Sequence, residues 1–210
     1  SNSGTITTSY STGDVTAQAK HQAALQETTA EQYPDAFGSD ILGAPYTGGF
    51  VGDNTGSVNN AYADGYVTSA GYNVGSFAGH NGSAGNITYS YAVGEVEGSN
   101  IAGGFIGYNE GGSATESYFD SISTCKTTAC ASTNGGTCAA AGKVTYQMYA
   151  KKTATNLYQN WSDTYWCFNC GAYPVLKGMP TGAPASTSCG AVCSDCTSNY
   201  ITEVYDATSG

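Results

Sequence analysis

Arginine is absent from this chain, and lysine is scarce. The 210 residues include 6 cationic side chains, all of them lysine, against 16 Asp and Glu, so the formal net charge is −10 at pH 7. So few cations can neither neutralise the phosphates of a nucleic acid nor hold a protein on an anionic membrane. We therefore expect no nucleic-acid partner.

Long apolar runs are missing as well. No run approaches the roughly 18 residues of a membrane-spanning helix, and the sequence from Ser1 to Ile6 does not resemble a signal peptide. We expect no membrane span and, for an exported protein, a mature form from which the signal peptide has been removed. Charged residues make up 10% of the chain, well below the usual share of about 25%, which indicates a neutral, polar surface.

An internal repeat is the strongest feature of the sequence. Four segments align without gaps from their first glycine: GTITTSYSTGDVT, GSVNNAYADGYVT, GNITYSYAVGEVE and the shorter GSATESYFD, which start at Gly4, Gly56, Gly85 and Gly112. Each has a tyrosine at the same offset: Tyr10, Tyr62, Tyr91 and Tyr118. The first three also share a later valine: Val15, Val67 and Val96.

A second block precedes the last three copies. It reads GGFVGDN from Gly48, GSFAGHN from Gly75 and GGFIGYN from Gly103. Constant spacing within the blocks and alternation of residue type indicate short strands, and the variable lengths between them indicate turns. A unit of about 27 residues cannot bury its own apolar row, whereas units stacked at about 4.8 Å can. The prediction is an all-β fold, a short parallel β-solenoid of three to four units, with the Tyr and Phe columns as stacked core ladders.

These blocks resemble the GLUG repeat of secreted bacterial and archaeal surface proteins. The motifs are Gly-Phe-Val-Gly, Ser-Phe-Ala-Gly and Gly-Phe-Ile-Gly at residues 49–52, 76–79 and 104–107, followed by Tyr-x-x-Gly-x-Val in the first two units. Segments around Tyr118, Lys143, Trp161 and Tyr173 are similar to the part that closes such an array. The resemblance implies a surface-exposed β-solenoid used for adhesion or surface structure, with no catalytic residues to carry over.

The chain divides by composition into two regions. Residues 1–120 hold the repeats, interrupted by an inserted segment at 17–46, and residues 121–210 form a cysteine-rich cap and tail. Helix-forming residues predict a helix over 17–33, and a second helix is expected at 145–158. Residues 200–207 are a candidate strand that is either donated to a neighbouring subunit or left as a loose tail. The first repeat lacks its Gly-Phe half, which predicts an unpaired edge open to another chain.

All eight cysteines lie in the second region. Their even number and loop-rich surroundings predict up to four disulfides of unknown pairing in an exported protein, with one or two cysteines bridging subunits as an open option. They are Cys125, Cys130, Cys138, Cys167, Cys170, Cys189, Cys193 and Cys196. A four-cysteine zinc site from two C-x2-C pairs, Cys167 with Cys170 and Cys193 with Cys196, is the less favoured alternative. No other metal and no cofactor are expected.

Other candidate chemistry is sparse. Three Asn-x-Ser/Thr triplets make Asn81, Asn86 and Asn160 candidate glycosylation sites. His21 and His80 are interpreted as surface residues. The carboxylates of the repeat face are interpreted as solvated surface acids because no lysine in the repeats would complete a lyase site: Asp64, Glu95, Glu97, Glu110, Glu116 and Asp120. We therefore expect no enzymatic activity.

Together these features predict an extracellular structural protein at the cell surface. We expect it to assemble with copies of itself into a filament, a pilus-like fibre or a cell sheath, because head-to-tail contacts that do not close give open polymers. A glycan-binding adhesin module is the alternative, and a polysaccharide-active β-helix enzyme is the third possibility.

Overall fold

The computed structural model describes residues 1–17, 22–23, 46–98, 101–168 and 171–177. The chain forms two compact units, Ser1–Val144 and Thr145–Gly210. Four of the eight cysteines, Cys170, Cys189, Cys193 and Cys196, lie outside the described residues, as do His21 and the candidate strand at 200–207.

The first unit is a parallel β-solenoid of about three complete turns, which confirms the predicted fold. Its short strands stack into four parallel sheets, numbered here for reference. Sheet 1 contains β1 (Thr5–Ser11), β6 (Ser57–Ala63), β10 (Asn86–Thr88), β11 (Tyr91–Ala92), β15 (Ser113–Thr115), β16 (Tyr118–Asp120), β18 (Thr137–Cys138) and β19 (Ala141–Lys143). Sheet 2 contains β2 (Val15–Ala17), β7 (Val67–Ser69) and β12 (Val96–Gly98), and sheet 3 contains β3 (Gln22–Ala23), β4 (Thr47–Gly48), β8 (Val74–Gly75) and β13 (Ala102–Gly103). Sheet 4 contains β5 (Val51–Asn54), β9 (Ala78–Asn81), β14 (Ile106–Asn109) and β17 (Cys130–Thr133).

The register of sheet 1 aligns the repeated tyrosines in one column. Tyr62 lies between Tyr10 and Tyr91, and the ring centroids are 5.3 Å and 5.1 Å apart. Tyr118 continues the column by pairing with Tyr91. Burial raises the pKa of Tyr62 strongly and that of Tyr118 to about 12, with further contributions from Asp64 and Glu116 respectively. Tyr10, Tyr62 and Tyr91 are buried and Tyr118 is half-buried, so the first three members of the column belong to the core, as the repeat predicts.

Phenylalanine forms a second column. Phe77 stacks between Phe50 and Phe105 with centroid separations of 4.8 Å and 4.7 Å, and all three rings are fully buried. Offset aromatic stacking adds to the free energy of burying large apolar surfaces. This column, with aliphatic residues from sheets 1 and 4, forms an apolar cluster of buried residues.

Close backbone packing explains why glycine recurs beside this column. A Cβ atom at Gly75 would lie 2.1 Å from the carbonyl oxygen of Ala78 and 2.7 Å from that of Phe105. Since the opposing atoms are backbone, only glycine fits this position.

A column of left-handed residues bends sheet 1 in each turn. Thr8, Asn60, Tyr89 and Glu116 have φ between 49° and 54° and occupy equivalent positions in successive turns. None is glycine, although residues other than Gly, Asn and Asp rarely adopt this conformation. The repeat therefore imposes the bend on whatever residue lies there.

The described part of the inserted segment contains a strand and not the expected helix. The predicted helix over 17–33 is wrong at Gln22–Ala23, which form β3 and pair in parallel with Thr47–Gly48 of β4. Residues 18–21 and 24–45 lie outside the described residues. Helix propensity yields here to pairing with an available sheet edge.

The solenoid also extends beyond the boundary expected at residue 120. Cys130–Thr133 pair with β14, and Ala141–Lys143 pair with β16, so both segments continue the sheets of the repeats. These residues lack the Tyr and Phe signature, which is why the sequence pattern places them in the cap.

The second unit is described for 145–168 and 171–177. Its helix α1 (Thr145–Met148) is much shorter than the expected helix at 145–158. The Asn156 side chain accepts from the Thr153 backbone nitrogen and donates to the Lys151 carbonyl, local bonds that compete with helical ones. Strands β20 (Trp166–Cys167) and β21 (Val175–Leu176) pair in antiparallel orientation. The buried residues of the described part of this unit are Met148, Tyr158, Trp161, Trp166, Cys167, Pro174 and Leu176.

Candidate functional site

The cysteines are the first group of predicted site residues. Cys130 and Cys138 form a disulfide that joins β17 to β18 across the last described turn, and Cys167 is also disulfide-bonded. Cys125 differs from the expectation because its thiol is free and exposed. It lies in the turn after Asp120, where its Sγ is 3.6 Å from the Ile122 carbonyl oxygen and 3.9 Å from Glu95 Oε1.

The zinc alternative loses one of its four ligands, because the Cys167 sulfur is engaged in a disulfide. Within the described part of the chain, no group of three or more His, Cys, Asp or Glu side chains is arranged to hold a metal ion.

The three glycosylation candidates lie in different environments. Asn81 is fully buried, and its amide nitrogen donates to Asn109 Oδ1 at 2.9 Å. A glycan attached to that nitrogen would not fit in the core and would break this hydrogen bond, so the folded structure argues against Asn81 as a glycosylation site. Asn86 is half-buried and accepts from Ser113 Oγ at 2.7 Å, whereas Asn160 is exposed in the second unit.

Asn81 belongs to a ladder of buried amides along the corner after sheet 4. Asn2 donates to Asn54, Asn54 to Asn81, and Asn81 to Asn109, each over 2.8 or 2.9 Å. Asn109 donates onward to the Gly112 carbonyl. The Asn that closes each GxFxGxN block therefore links successive turns through its side chain.

The carboxylates of the repeats are spread over separate positions. Glu95 and Glu97 are exposed. Asp120 is buried, and its Oδ1 accepts from the backbone nitrogens of Ile122 and Ser123 at 2.8 Å and 3.2 Å, which stabilises the following turn. Burial, reinforced by the negative charge of Asp14, raises the pKa of Asp64 to about 6 despite an opposing backbone hydrogen bond.

His80 is the residue that sequence reasoning missed. It is interpreted above as a surface side chain, but it is only 6% exposed. Its Nδ1 lies 2.8 Å from Asp53 Oδ1, and its Nε2 lies 3.3 Å from Glu110 Oε2. Tyr46 and Tyr108 stack on the ring with centroids at 4.4 Å and 5.4 Å.

The signal for this cluster is present in the aligned blocks. Asp53, His80 and Tyr108 are the residues immediately before the ladder asparagines, and they pair in register across β5, β9 and β14. Alignment therefore shows that the three side chains are neighbours, but it does not show their burial.

The comparison with known families points to the same repeat. The model of the GLUG motif matches residues 70–97, which span β8 to β12 and make up one turn of the solenoid. The chain therefore carries a GLUG motif within a parallel β-solenoid. No curated protein and no solved structure matches it.

The residues matched by the GLUG motif include side chains that contact the adjacent turns of the solenoid. Its match includes Phe77 of the Phe column, Asn81 of the amide ladder and Tyr91 of the Tyr column. The motif is typical of extracellular proteins, and a surface or extracellular β-helix protein fits both it and the fold. No helix among the described residues is long and apolar enough to cross a membrane.

Proposed function

We propose that this protein is an extracellular structural subunit that assembles with copies of itself into a surface filament, a pilus-like fibre or a sheath. One observation carries the proposal. Among the described strands, β1 pairs on one side only, with β6, while β17, β18 and β19 at the other end of the sheets each pair with a single strand. Strands paired on one side offer backbone donors and acceptors to a further strand.

The arrangement of side chains supports a second copy as the added partner. The columns of a parallel solenoid run along its axis, so stacked copies would extend them in register. The distribution of charge also supports end-to-end stacking. In the described part of the first unit, the lysines, Lys126 and Lys143, both follow residue 120, whereas Asp14 and Asp64 belong to the first two turns. End-to-end stacking would bring opposite charges together, which favours one orientation.

Electron microscopy of the purified full chain over a range of concentrations tests the proposal. We expect filaments or sheets with an axial repeat set by whole solenoid turns. Thr7 of β1 is exposed, and Thr7→Pro should reduce polymer formation because proline cannot donate to an added strand. Thr7→Ala is the matched control, and unfolding curves check that both variants fold. Monodisperse monomers at every concentration would exclude assembly.

Glycan binding is a second candidate, favoured by one specific surface. The strands of sheet 1 carry two uncharged columns of hydroxyl and amide side chains: Thr5, Ser57, Asn86, Ser113 and Thr137 in one, and Thr7, Asn59, Thr88 and Thr115 in the other. Saturable binding to polysaccharide without polymerisation, lost in Thr88→Lys and kept in Glu97→Lys, would favour this function. Under both proposals the protein has no catalytic role, and release of reducing sugar from polysaccharide would contradict that.

A further inference from the structure

His80 lies at the centre of a cluster that spans three successive turns. Asp53 comes from β5, His80 from β9, and Tyr108 and Glu110 from β14 and the residue after it. Tyr46, which precedes β4, stacks on the other face of the ring. The cluster therefore joins side chains that are far apart in sequence and belong to no single repeat.

Both ring nitrogens face a carboxylate. Nδ1 contacts Asp53 Oδ1 at 2.8 Å with hydrogen-bond geometry, whereas Nε2 is buried and lies 3.3 Å from Glu110 Oε2 without it. A neutral imidazole carries one N–H and can donate to only one of these groups. A protonated imidazole carries two and can donate to both.

We propose that His80 is a pH-sensitive clasp, whose protonated ring is held by Asp53 and Glu110 together and ties three turns of the solenoid, and whose neutral ring is held by Asp53 alone. The Glu110 side chain is 51% exposed, so its carboxylate is free to turn onto Nε2 when that nitrogen is protonated. Hydrogen bonds between two charged groups are about twice as strong as neutral ones.

The other titratable groups around the ring agree with this arrangement. Burial, followed by the charges of Asp53 and Glu110 and by Tyr108, raises the pKa of the Tyr46 hydroxyl. Both carboxylates contact the His80 ring, Asp53 from β5 and Glu110 from the turn after β14. No lysine among the described residues pairs with either carboxylate.

The test measures how the stability of the full chain depends on pH. The background is His21→Gln with Asp64→Asn, which removes the only other histidine and the carboxylate whose pKa is raised to about 6. Urea unfolding is followed at about pH 5.5 and about pH 7.5, on either side of the range in which histidine changes charge. Urea is chosen because guanidinium salts would screen the ion pairs.

We expect the folding equilibrium constant of this background to fall roughly ten-fold between the two pH values, about the contribution of one charge-assisted hydrogen bond. Glu110→Gln should remove most of that fall while leaving the Asp53 contact intact, and His80→Gln should remove it as well. Glu95→Gln is the matched control because Glu95 is an exposed carboxylate beside β12, and it should keep the full effect.

Nitrogen-15 NMR of histidine-labelled protein gives a second readout that a merely structural role would not change. Two slowly exchanging ring N–H signals should appear at the acidic pH and only one at the higher pH, and Glu110→Gln should weaken the second. An equal pH dependence with and without His80, or with Gln at position 110, would overturn the clasp.

Discussion

Asn54 Nδ2 donates a hydrogen bond to Asn81 Oδ1 at 2.8 Å, and Asn81 Nδ2 donates in the same way to Asn109 Oδ1 at 2.9 Å. Each amide in this ladder is a donor on one side and an acceptor on the other. The hydrogen bonds run in the same direction at each step. Replacing one amide side chain therefore removes a hydrogen-bond partner from both neighbouring asparagines.

Asn81→Asp should therefore destabilise the first unit by about 3 to 5 kcal/mol, because it places a buried carboxylate opposite the Asn109 oxygen. The measurement is the free energy of unfolding in urea at neutral pH. Asn59→Asp is the control. Asn59 is half-buried and accepts from Thr88 Oγ1, so an acidic oxygen there preserves the contact. A similar loss in both variants would show that the ladder has no special role.

Gly104 and Phe119 should be coupled. A Cβ atom at Gly104 would lie 2.3 Å from the Phe119 ring, so Gly104→Ala should cost about 1 to 3 kcal/mol through overpacking. Phe119→Leu opens space at that ring, and the double variant should be clearly more stable than the sum of the single losses implies. Thermal unfolding of the four proteins measures the coupling, and strict additivity would contradict it. Gly75→Ala, which meets backbone oxygens, should not be rescued by a side-chain change.

Thr8→Asn should stabilise the protein by up to about 1 kcal/mol. Thr8 is β-branched and has φ of 54°, the same value as Asn60 in the next turn, and asparagine tolerates this conformation better than threonine. Thr7→Asn is the control, since Thr7 lies on the regular part of the strand. The change in urea midpoint distinguishes them, and a loss of stability in Thr8→Asn would show that the threonine side chain compensates for its backbone.

Asp64 should make the protein less stable as the pH rises. Its pKa in the folded state, about 6, exceeds the unfolded value of about 4, so the folded state binds the proton more tightly. The stability contributed by the protonated form is complete below about pH 4 and is lost as the pH passes through about 6. After discounting for solvent screening, we expect a loss of about 1 to 2 kcal/mol.

Asp64→Asn should abolish this part of the pH dependence and raise stability near neutral pH. Asp14→Asn should reduce it by a smaller amount, because burial of Asp64 is the larger cause and the Asp14 charge the smaller. Urea unfolding between about pH 4 and pH 7 is the measurement. An unchanged profile in Asp64→Asn would show that another group is responsible.

The cysteines should differ in reactivity. In the folded protein, maleimide should label Cys125 and leave Cys130 and Cys138 unlabelled, as read by peptide mass spectrometry without reduction. Replacing both bridged residues by serine should cost about 2.5 kcal/mol for a loop of this size. Protection of Cys125 in assembled material but not in monomers would place it at a contact between copies.

Much of the first unit is predictable because its signal is periodic. Glycine, Phe, Asn, Tyr and Val recur at fixed offsets, and in a parallel solenoid equal offsets become contacts between adjacent turns. Phe50 with Phe77 and Tyr10 with Tyr62 therefore follow from alignment alone. The last turn, 130–143, lacks the Phe, Tyr and Val of the repeat, and its strands join the sheets by pairing with β14 and β16.

The sequence by itself determined the solenoid, its column residues and the scarcity of charged side chains, since each depends on composition or on spacing along the chain. Only the tertiary structure decided that Gln22–Ala23 pair as a strand, that Cys125 is free and that His80 is buried between two carboxylates. The physical reason is that burial and charge environment depend on which turns lie side by side and what their neighbours contribute. In sequence His80 is an isolated histidine in a polar block, and its partners Asp53 and Glu110 are 27 and 30 residues away.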